Sequence, residues 1–206
     1  MPADPDPTRD RLIAAAEEEF AAVGFGRTTV QAICRRAGAN IAAVNYHFGG
    51  KERLYREVLE RAREALERDF PLPPEQGEAA TRLHDFIAAI LTRLLTSGPH
   101  AWMARVWAQE LVNPSPLMDV VVPTMIAPTH RRLRGIVADL TGRSPDDALV
   151  WRLTASVVGQ CLFYRIAQPV IQRLGRPLPT TPEDIALLAQ AITRFSLAGI
   201  RAEAQA

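Results

Sequence analysis

The side chains of this sequence that could perform chemistry are concentrated between residues 28 and 51. Thr29, Tyr46, His47 and Lys51 bring a hydroxyl, a phenol, an imidazole and an ammonium group into this short stretch. Each group is a suitable hydrogen-bond donor to a phosphate oxygen, and such contacts hold a polyanion in register without reading its sequence. The stretch is therefore the first candidate for a binding site.

The charge of the chain is local. Residues 27–56 carry six basic side chains against one acidic one, and residues 1–24 carry six acidic against two basic, while the whole chain has a net charge of +1. Such asymmetry can mark a nucleic-acid-binding face. A run of charge is more often a solvated helix face, so this pattern needs the support of a motif.

No arrangement of residues indicates a catalytic or metal site. The four histidines share no metal-ligand spacing, and the sequence lacks G-x-S-x-G, P-loop and H-E-x-x-H motifs. The adjacent His84 and Asp85 are expected at the surface. Cys34 and Cys161 are expected to be buried thiols, as in a cytoplasmic protein. We expect no enzyme activity, no metal and no cofactor.

Helical spacing of apolar residues runs through almost the whole chain, which predicts an all-α fold. Thr8 is placed to cap a first helix and Gly24 to end it. A second helix is expected to begin at Thr28, which stands with Gln31 at the spacing of a capping box, and to stop at Gly38.

A third, short helix follows, with Asn40 as its cap, and Gly49 breaks the chain after it. A fourth, long helix is expected from Lys51 to about Phe70. A rigid linker without helix comes next, made of Pro71, Pro73, Pro74 and Gly77. We therefore predict a first domain over 1–50, a connecting helix over 51–70, and a second domain over 71–206.

Two short helices that join at Gly38 and are followed by a break at Gly49 form the helix-turn-helix pattern. The inner faces would carry Ile33, Val44 and Phe48. The outer face of the second helix carries short or polar side chains, as a helix that enters the major groove requires.

At these residues the sequence resembles a known family. The run T-T-V-Q-A-I-C-R-R-A-G-A-N over residues 28–40, followed by V-N-Y-H-F-G-G-K-E-R-L over 44–54, is similar to the signature of the TetR family of regulators. Residues 109–116 and 158–165 resemble the CecR-like branch of that family. The resemblance implies about nine helices: three in a DNA-binding domain over 1–50, a connecting fourth helix over 51–70, and about five in a ligand-binding and dimerisation domain over 71–206. It also implies a mechanism in which a ligand moves the fourth helix and changes the spacing of the two recognition helices.

Position within the motif implies that Thr29, Tyr46, His47 and Lys51 contact phosphates, and their chemistry agrees. Lys51 also starts a helix, where free amides favour an anion. Each has an alternative: Tyr46 could be a core aromatic, His47 a helix C-cap, and Lys51 a merely solvated lysine.

Base reading is expected from Gln31, Ala42, Ala43 and Asn45. Amide side chains can bond adenine with two hydrogen bonds, and alanine methyl groups can touch the methyl group of thymine. Gln31 has a competing role in capping Thr28.

The C-terminal part contains longer helices. The segment from residue 117 to 141 should be kinked or split by Pro123 and Pro128, and strong helix starts stand at Ser144 and Thr181. These two starts open helices over about 145–168 and 182–200. They supply the predicted dimer surface, for which intramolecular core is the alternative: Val157, Val158, Leu162, Ile185, Leu188, Ile192 and Phe195.

Large apolar residues with interleaved polar ones indicate a pocket for a hydrophobic or aromatic effector, although an ordinary helical core would show the same composition. The candidate pocket residues are Trp102, Met103, Trp107, Glu110, Met125, His130, Gln160 and Tyr164.

The sequence thus predicts a cytoplasmic, ligand-responsive transcriptional repressor that binds a palindromic double-stranded DNA operator as a homodimer. The alternative is a DNA-binding regulator that has no small-molecule ligand and is controlled by a partner or by its abundance. No contact with a membrane is expected.

Overall fold

The computed structural model describes residues 6–24, 26–96, 101–112, 114, 116 and 118–205, and of residues 101, 105–107, 109 and 112 it describes the backbone alone. Within these residues the regular structure is entirely helical, which confirms the predicted all-α class. A π-helical turn covers Val122–Ile126. The described part of the chain forms α1 (Pro7–Val23), α2 (Val30–Ala37), α3 (Ile41–Phe48), α4 (Lys51–Asp69), α5 (Ala79–Leu95), α6 (Ala101–Val112), α7 (Met118–Val121), α8 (Ala127–Thr141), α9 (Ala148–Ile166), α10 (Gln168–Arg173) and α11 (Pro182–Ala204).

These helices form two compact units. The first comprises Met1–Ala65 and Trp102–Thr124, and the second comprises Leu66–Ala101 and Met125–Ala206. The last turn of α4 therefore belongs to the second unit. The compact units do not coincide with the predicted domains, because residues 102–124 group with the N-terminal helices. The predicted domains are assigned by function, and that assignment stays a prediction.

The first unit holds the helix-turn-helix. In it α1 packs against α2 and α3. The ring of Phe20 in α1 meets that of Tyr55 in α4 edge to face, with centroids 4.3 Å apart. Its side chains with no more than 1 % exposure include Leu12, Ile13, Phe20, Ile33, Val44, Leu54, Tyr55 and Val58.

Three predicted caps are wrong by one to three residues. Asp6, not Thr8, caps α1, since its carboxylate accepts from the amides of Thr8 and Arg9. Thr29, not Thr28, caps α2 through a 3.1 Å bond from the Ala32 amide. Asp6 and Thr29 both have the extended backbone of an N-cap residue, whereas Thr8 already lies inside α1.

The third correction concerns α9. Ser144 accepts a bond from the Asp146 amide in a turn, and the helix begins only at Ala148 with Asp147 as its cap. It also ends earlier than predicted, at Ile166, and α10 follows as a separate helix. The predicted start at Thr181 is confirmed, because its hydroxyl accepts from the Asp184 amide.

The break predicted from the two prolines is confirmed as α7, the π-helical turn and α8. Pro123 lies inside the turn and Pro128 near the start of α8, and neither can donate a backbone hydrogen bond. The Thr124 hydroxyl donates to the carbonyl of Val120 at 2.5 Å, which satisfies one acceptor in the irregular region.

The second unit is built around α11, which packs against α5, α8 and α9. Among the described helices, α11 alone is long and apolar enough to cross a membrane by length and composition. Because Ile185, Ala189 and Ile192 along one side of it are buried, α11 is the core helix of this unit.

Candidate nucleic-acid interface

Thr29 stands at the start of the first helix of the motif with its side chain exposed. Its Oγ1 accepts the Ala32 amide, so the hydroxyl hydrogen is still available for an external acceptor. Thr28 points the other way: it is buried and donates to the Gly24 carbonyl at 2.8 Å. Gln31 is exposed, and Thr28 does not cap α2. The competing role of Gln31, a capping box with Thr28, is therefore excluded.

The turn between α2 and α3 depends on Gly38. This residue has φ 61° and ψ 37°, the left-handed region that favours glycine, and its amide donates to carbonyls at the end of α2. Asn40 then caps α3 by accepting the Ala42 amide at 2.9 Å, as predicted. Val44 and Phe48 are buried on the inner side of α3.

The outer side of α3 carries Ala42, Asn45 and Tyr46, all exposed, and a half-buried Ala43. Tyr46 is 85 % exposed, so the alternative of a core aromatic is wrong. A large ring left in water at this place is free to contact a ligand.

The side chain of His47 is held in place by Asp6. Its side chain is 13 % exposed, and Nδ1 lies 3.1 Å from the carboxylate of Asp6, the residue that also caps α1. The cap at the end of α3 is Gly49, so the alternative of a histidine C-cap is not observed. With Nδ1 engaged, Nε2 is the atom that could donate to a phosphate.

Lys51 is half-buried at the first position of α4. Burial lowers the pKa of its ammonium group, and the charge of Glu52 opposes that shift. A partly desolvated ammonium group at a helix start binds an anion more strongly than a fully solvated one does.

Part of the positive charge predicted for this face is already paired. Arg36 donates to Glu18 at 2.6 Å and to Glu19 at 2.8 Å. Arg36 therefore joins α2 to α1 through two ion pairs.

Two side chains near the motif were not among the predicted contacts. Ile41, at the first position of α3, is 51 % exposed, and its apolar side chain could meet a thymine methyl group. The side chain of Arg53 lies against Gly49: its Nη1 is 2.9 Å from the position that a Cβ atom would take on that glycine. The sequence contained a signal for Ile41, because its helical spacing from Asn45 places both residues on one side of α3.

The predicted pocket residues fall into both compact units. Trp102, Met103 and Glu110 are buried in the first unit, and the side chain of Trp107 lies outside the described residues. Burial raises the pKa of Tyr55, and the charge of Glu110 raises it further.

The other four belong to the second unit. Met125 and His130 are half-buried there, and burial, followed by the charge of Arg134, lowers the pKa of His130. Gln160 donates to the Ser196 hydroxyl at 3.1 Å, and it lines a surface groove of about 540 Å³ together with Tyr164.

This groove lies along α9 and α11, the two helices predicted to form the dimer surface. Within the predicted set, Phe195 is 73 % exposed, whereas Val157, Ile185 and Ile192 are buried inside the unit. These three residues therefore belong to the intramolecular core, which was the alternative to the predicted dimer surface. The exposed apolar side chains of the two helices are Trp151, Phe163, Ile166, Leu187 and Phe195.

Comparison with known proteins places both parts of the chain. Residues 12–58 match the family model described as "Bacterial regulatory proteins, tetR family", and residues 79–200 match "HTH-type transcriptional dual regulator CecR, C-terminal domain". The chain is 29% identical over 174 residues to the HTH-type transcriptional dual regulator CecR of Shigella flexneri. The matched region covers 79% of this chain and 78% of that protein.

A further relative is the HTH-type transcriptional regulator SrpR of Pseudomonas putida, 41% identical over 68 residues, 33% of this chain and 32% of that protein. Among solved structures, the flavonoid-responsive regulator FrrA superposes with a TM-score of 0.65 at 23% identity, over 93% of this chain and 96% of that one, which shows a shared fold. The relatives are transcription regulators and not enzymes, as expected for this chain. The chain belongs to the TetR family of bacterial regulatory proteins and is a DNA-binding transcriptional regulator with a CecR-type C-terminal domain.

Proposed function

We propose that the chain is a ligand-responsive repressor that binds a palindromic operator as a homodimer. The observation that carries the proposal is the outer side of α3, where Asn45 and Tyr46 are exposed while Val44 and Phe48 anchor the helix in the core. A helix supported in this way can enter a major groove without exposing the core.

On this proposal, two classes of contact act together. Thr29, Tyr46, His47 and Lys51 bind phosphates and set the register of the protein on the duplex. Gln31, Ala42, Ala43 and Asn45 then read base edges. Since α3 contains no arginine, we expect little direct recognition of guanine.

The dimer is proposed to form through α9 and α11. Phe163 and Phe195 are more than half exposed and line the same groove, and Trp151 and Leu187 extend the apolar surface. Monomeric proteins rarely leave such a surface in water. A twofold axis through it would bury the same side chains of both copies and would match an inverted repeat in the DNA.

The effector is proposed to be a hydrophobic or aromatic small molecule. The support is the concentration of large apolar side chains over residues 102–164 and the similarity of fold to a regulator named as flavonoid-responsive. Because the proposed action is on chromosomal DNA, we place it in the cytoplasm.

The test uses purified full-length protein and a fluorescent duplex obtained by selection from random sequences. Hydrophobic and aromatic compounds are added, and release is followed by anisotropy, with thermal stability measured in parallel. Release together with stabilisation supports the proposal. Stable operator binding that no compound alters, combined with no thermal stabilisation, would favour the regulator without a ligand.

A further inference from the structure

A single carboxylate joins the start of α1 to the end of α3. Oδ2 of Asp6 lies 3.1 Å from Nδ1 of His47, while Oδ1 of the same side chain accepts the amides of Thr8 and Arg9 as the cap of α1. The two oxygens therefore have separate partners, and Asp6 can cap the helix and hold the imidazole at the same time. All of these residues belong to the first compact unit.

The imidazole of His47 is also enclosed by its neighbours in the chain. The ring of Tyr46 meets it edge to face with centroids 4.9 Å apart, and the centroid of the Phe48 ring lies 6.2 Å away. Because the side chain of His47 is mostly buried and its Nδ1 is engaged by Asp6, the ring is restricted to one orientation.

The helices that pack against α3 offer His47 no competing carboxylate from α2. Neither α2 nor α3 contains an acidic residue. The basic residues of α2 are Arg35, which is exposed, and Arg36, which is held by its two ion pairs with α1. Asp6 is therefore the acidic partner that the structure places at this imidazole.

The charged groups of α1 and α4 that lie beyond Asp6 pair with each other. Arg9, whose guanidinium is 5.5 Å from the centroid of the Phe48 ring, forms an ion pair with Glu57 at 2.6 Å. Asp10 forms one with Arg61 at 3.1 Å. The cation of Arg9 is thus compensated by Glu57, and it opposes a positive charge on the histidine less than an unpaired arginine would.

The contact with Asp6 determines which form of His47 can bind a phosphate. A carboxylate only accepts hydrogen bonds, so Nδ1 carries the proton that it shares with Asp6. In the neutral ring Nε2 then has a lone pair, which repels a phosphate oxygen. In the imidazolium form Nε2 also carries a proton and can donate it in a hydrogen bond while Nδ1 stays on Asp6.

We propose that Asp6 is a positioning residue that holds His47 through Nδ1 and stabilises the imidazolium form, whose Nε2 binds a phosphate oxygen of the operator. This inference rests on the proposed function, to which the phosphate contact of His47 belongs. A neutral His47 takes up one proton from solvent when the operator binds. Operator affinity is therefore highest at low pH and decreases as pH rises through the range, about pH 5 to 8, in which histidines lose their proton.

The test is anisotropy titration of the selected operator with full-length protein at several values between about pH 6 and pH 8, at constant ionic strength. Asp6→Asn removes the charge but keeps a good N-cap and an acceptor for Nδ1. Asp10→Asn is the matched control, because Asp10 is also an acidic residue at the start of α1 with an ion pair of 3.1 Å. His47→Gln removes the group that titrates.

We expect the affinity of the wild type and of Asp10→Asn to decrease from pH 6 to pH 8, and that of His47→Gln to change much less. At about pH 8, Asp6→Asn should bind about threefold more weakly than Asp10→Asn at each half-site, the ordinary size of an ion pair that solvent reaches, and thus about tenfold more weakly as a dimer. At about pH 6 the two should be close, because both keep the imidazolium form. Lys51, with Glu52 beside it, is unchanged in every variant and cannot produce this difference.

Three results would overturn the inference and leave the proposed function standing. They are a pH profile of Asp6→Asn equal to that of Asp10→Asn, a loss in Asp6→Asn that is the same at every pH, and a wild-type affinity that does not depend on pH. If the wild type bound no duplex at any pH, the proposed function itself would fail. Thermal unfolding checks each variant, and if Asp6→Asn does not fold, a pH profile of His47→Gln equal to that of the wild type overturns the inference.

Discussion

Replacing Thr29 by aspartate separates the two roles of this residue, the cap of α2 and the proposed phosphate contact. The Thr29 hydroxyl accepts the Ala32 amide at 3.1 Å, and its own hydrogen remains available for a second acceptor. Aspartate and asparagine are both good N-caps and have nearly the same shape. Thr29→Asn is therefore the matched control, and the two variants differ only in charge.

The magnitude follows from Coulomb's law. A carboxylate about 4 Å from a phosphate is repelled by about 1 kcal/mol at the dielectric constant of water and by about 4 kcal/mol at that of a protein surface. Two half-sites double this, so Thr29→Asp should bind the operator at least about 30-fold more weakly than Thr29→Asn. Their free energies of unfolding should agree within about 0.5 kcal/mol, because both retain the cap.

The assay is anisotropy titration of a labelled operator at several salt concentrations, with thermal unfolding of both variants as the check on folding. Added salt should narrow the difference between the two variants, because it screens the repulsion. Equal affinities at low salt would refute the reasoning and show that no phosphate comes near Thr29.

Three other results are expected. Asn45→Ala should relax the selected operator at one or two base pairs, whereas Lys51→Ala should weaken binding to all sequences alike; an unchanged selection profile for Asn45→Ala would remove its base-reading role. Cys34 and Cys161 should resist a thiol reagent in the folded protein and react after denaturation, since burial raises the pKa of both, that of Cys161 to about 12. Phe195→Glu should shift sedimentation towards the monomer without loss of helical circular dichroism, and a stable dimer would contradict the proposed interface.

The DNA-binding motif could be predicted closely because its signals are local. Gly38 and Gly49 both adopt positive φ at the ends where they were expected, and Asn40 caps α3. The choice of Thr29 over Thr28 could not be made from sequence, because either hydroxyl can cap a helix. It depends on the bond from Thr28 to the Gly24 carbonyl, which turns that side chain inward.

The C-terminal surface was predicted less well, because periodicity shows that a helix has an apolar side but not which partner covers it. Val157 and Ile192 carry the same kind of signal as Phe195, yet the first two are core and the third is exposed. On α9 the apolar residues are spread around the helix and not confined to one side, so the sequence does not indicate which side is buried.

The predicted pocket could not be located from the sequence, because its position depends on which distant parts of the chain pack together. Composition says little about that packing. Gln160, a predicted pocket residue, donates to Ser196 and lines the groove along α9 and α11, and its contact with an effector stays a prediction. The contacts of Arg82, Arg93 and Arg132 with the carbonyls of residues 75, 70 and 73 could not be predicted either, because these arginines are separated along the chain and resemble ordinary solvated arginines. Only the fold brings them to one proline-rich segment.

The most direct test of the account is selection of binding sites by the purified full-length protein from duplexes of random sequence. We predict enrichment of an inverted repeat with half-sites about one helical turn apart, bound by two copies of the chain. Enrichment of a single half-site without symmetry, bound by one copy, would contradict the proposed dimer and its operator.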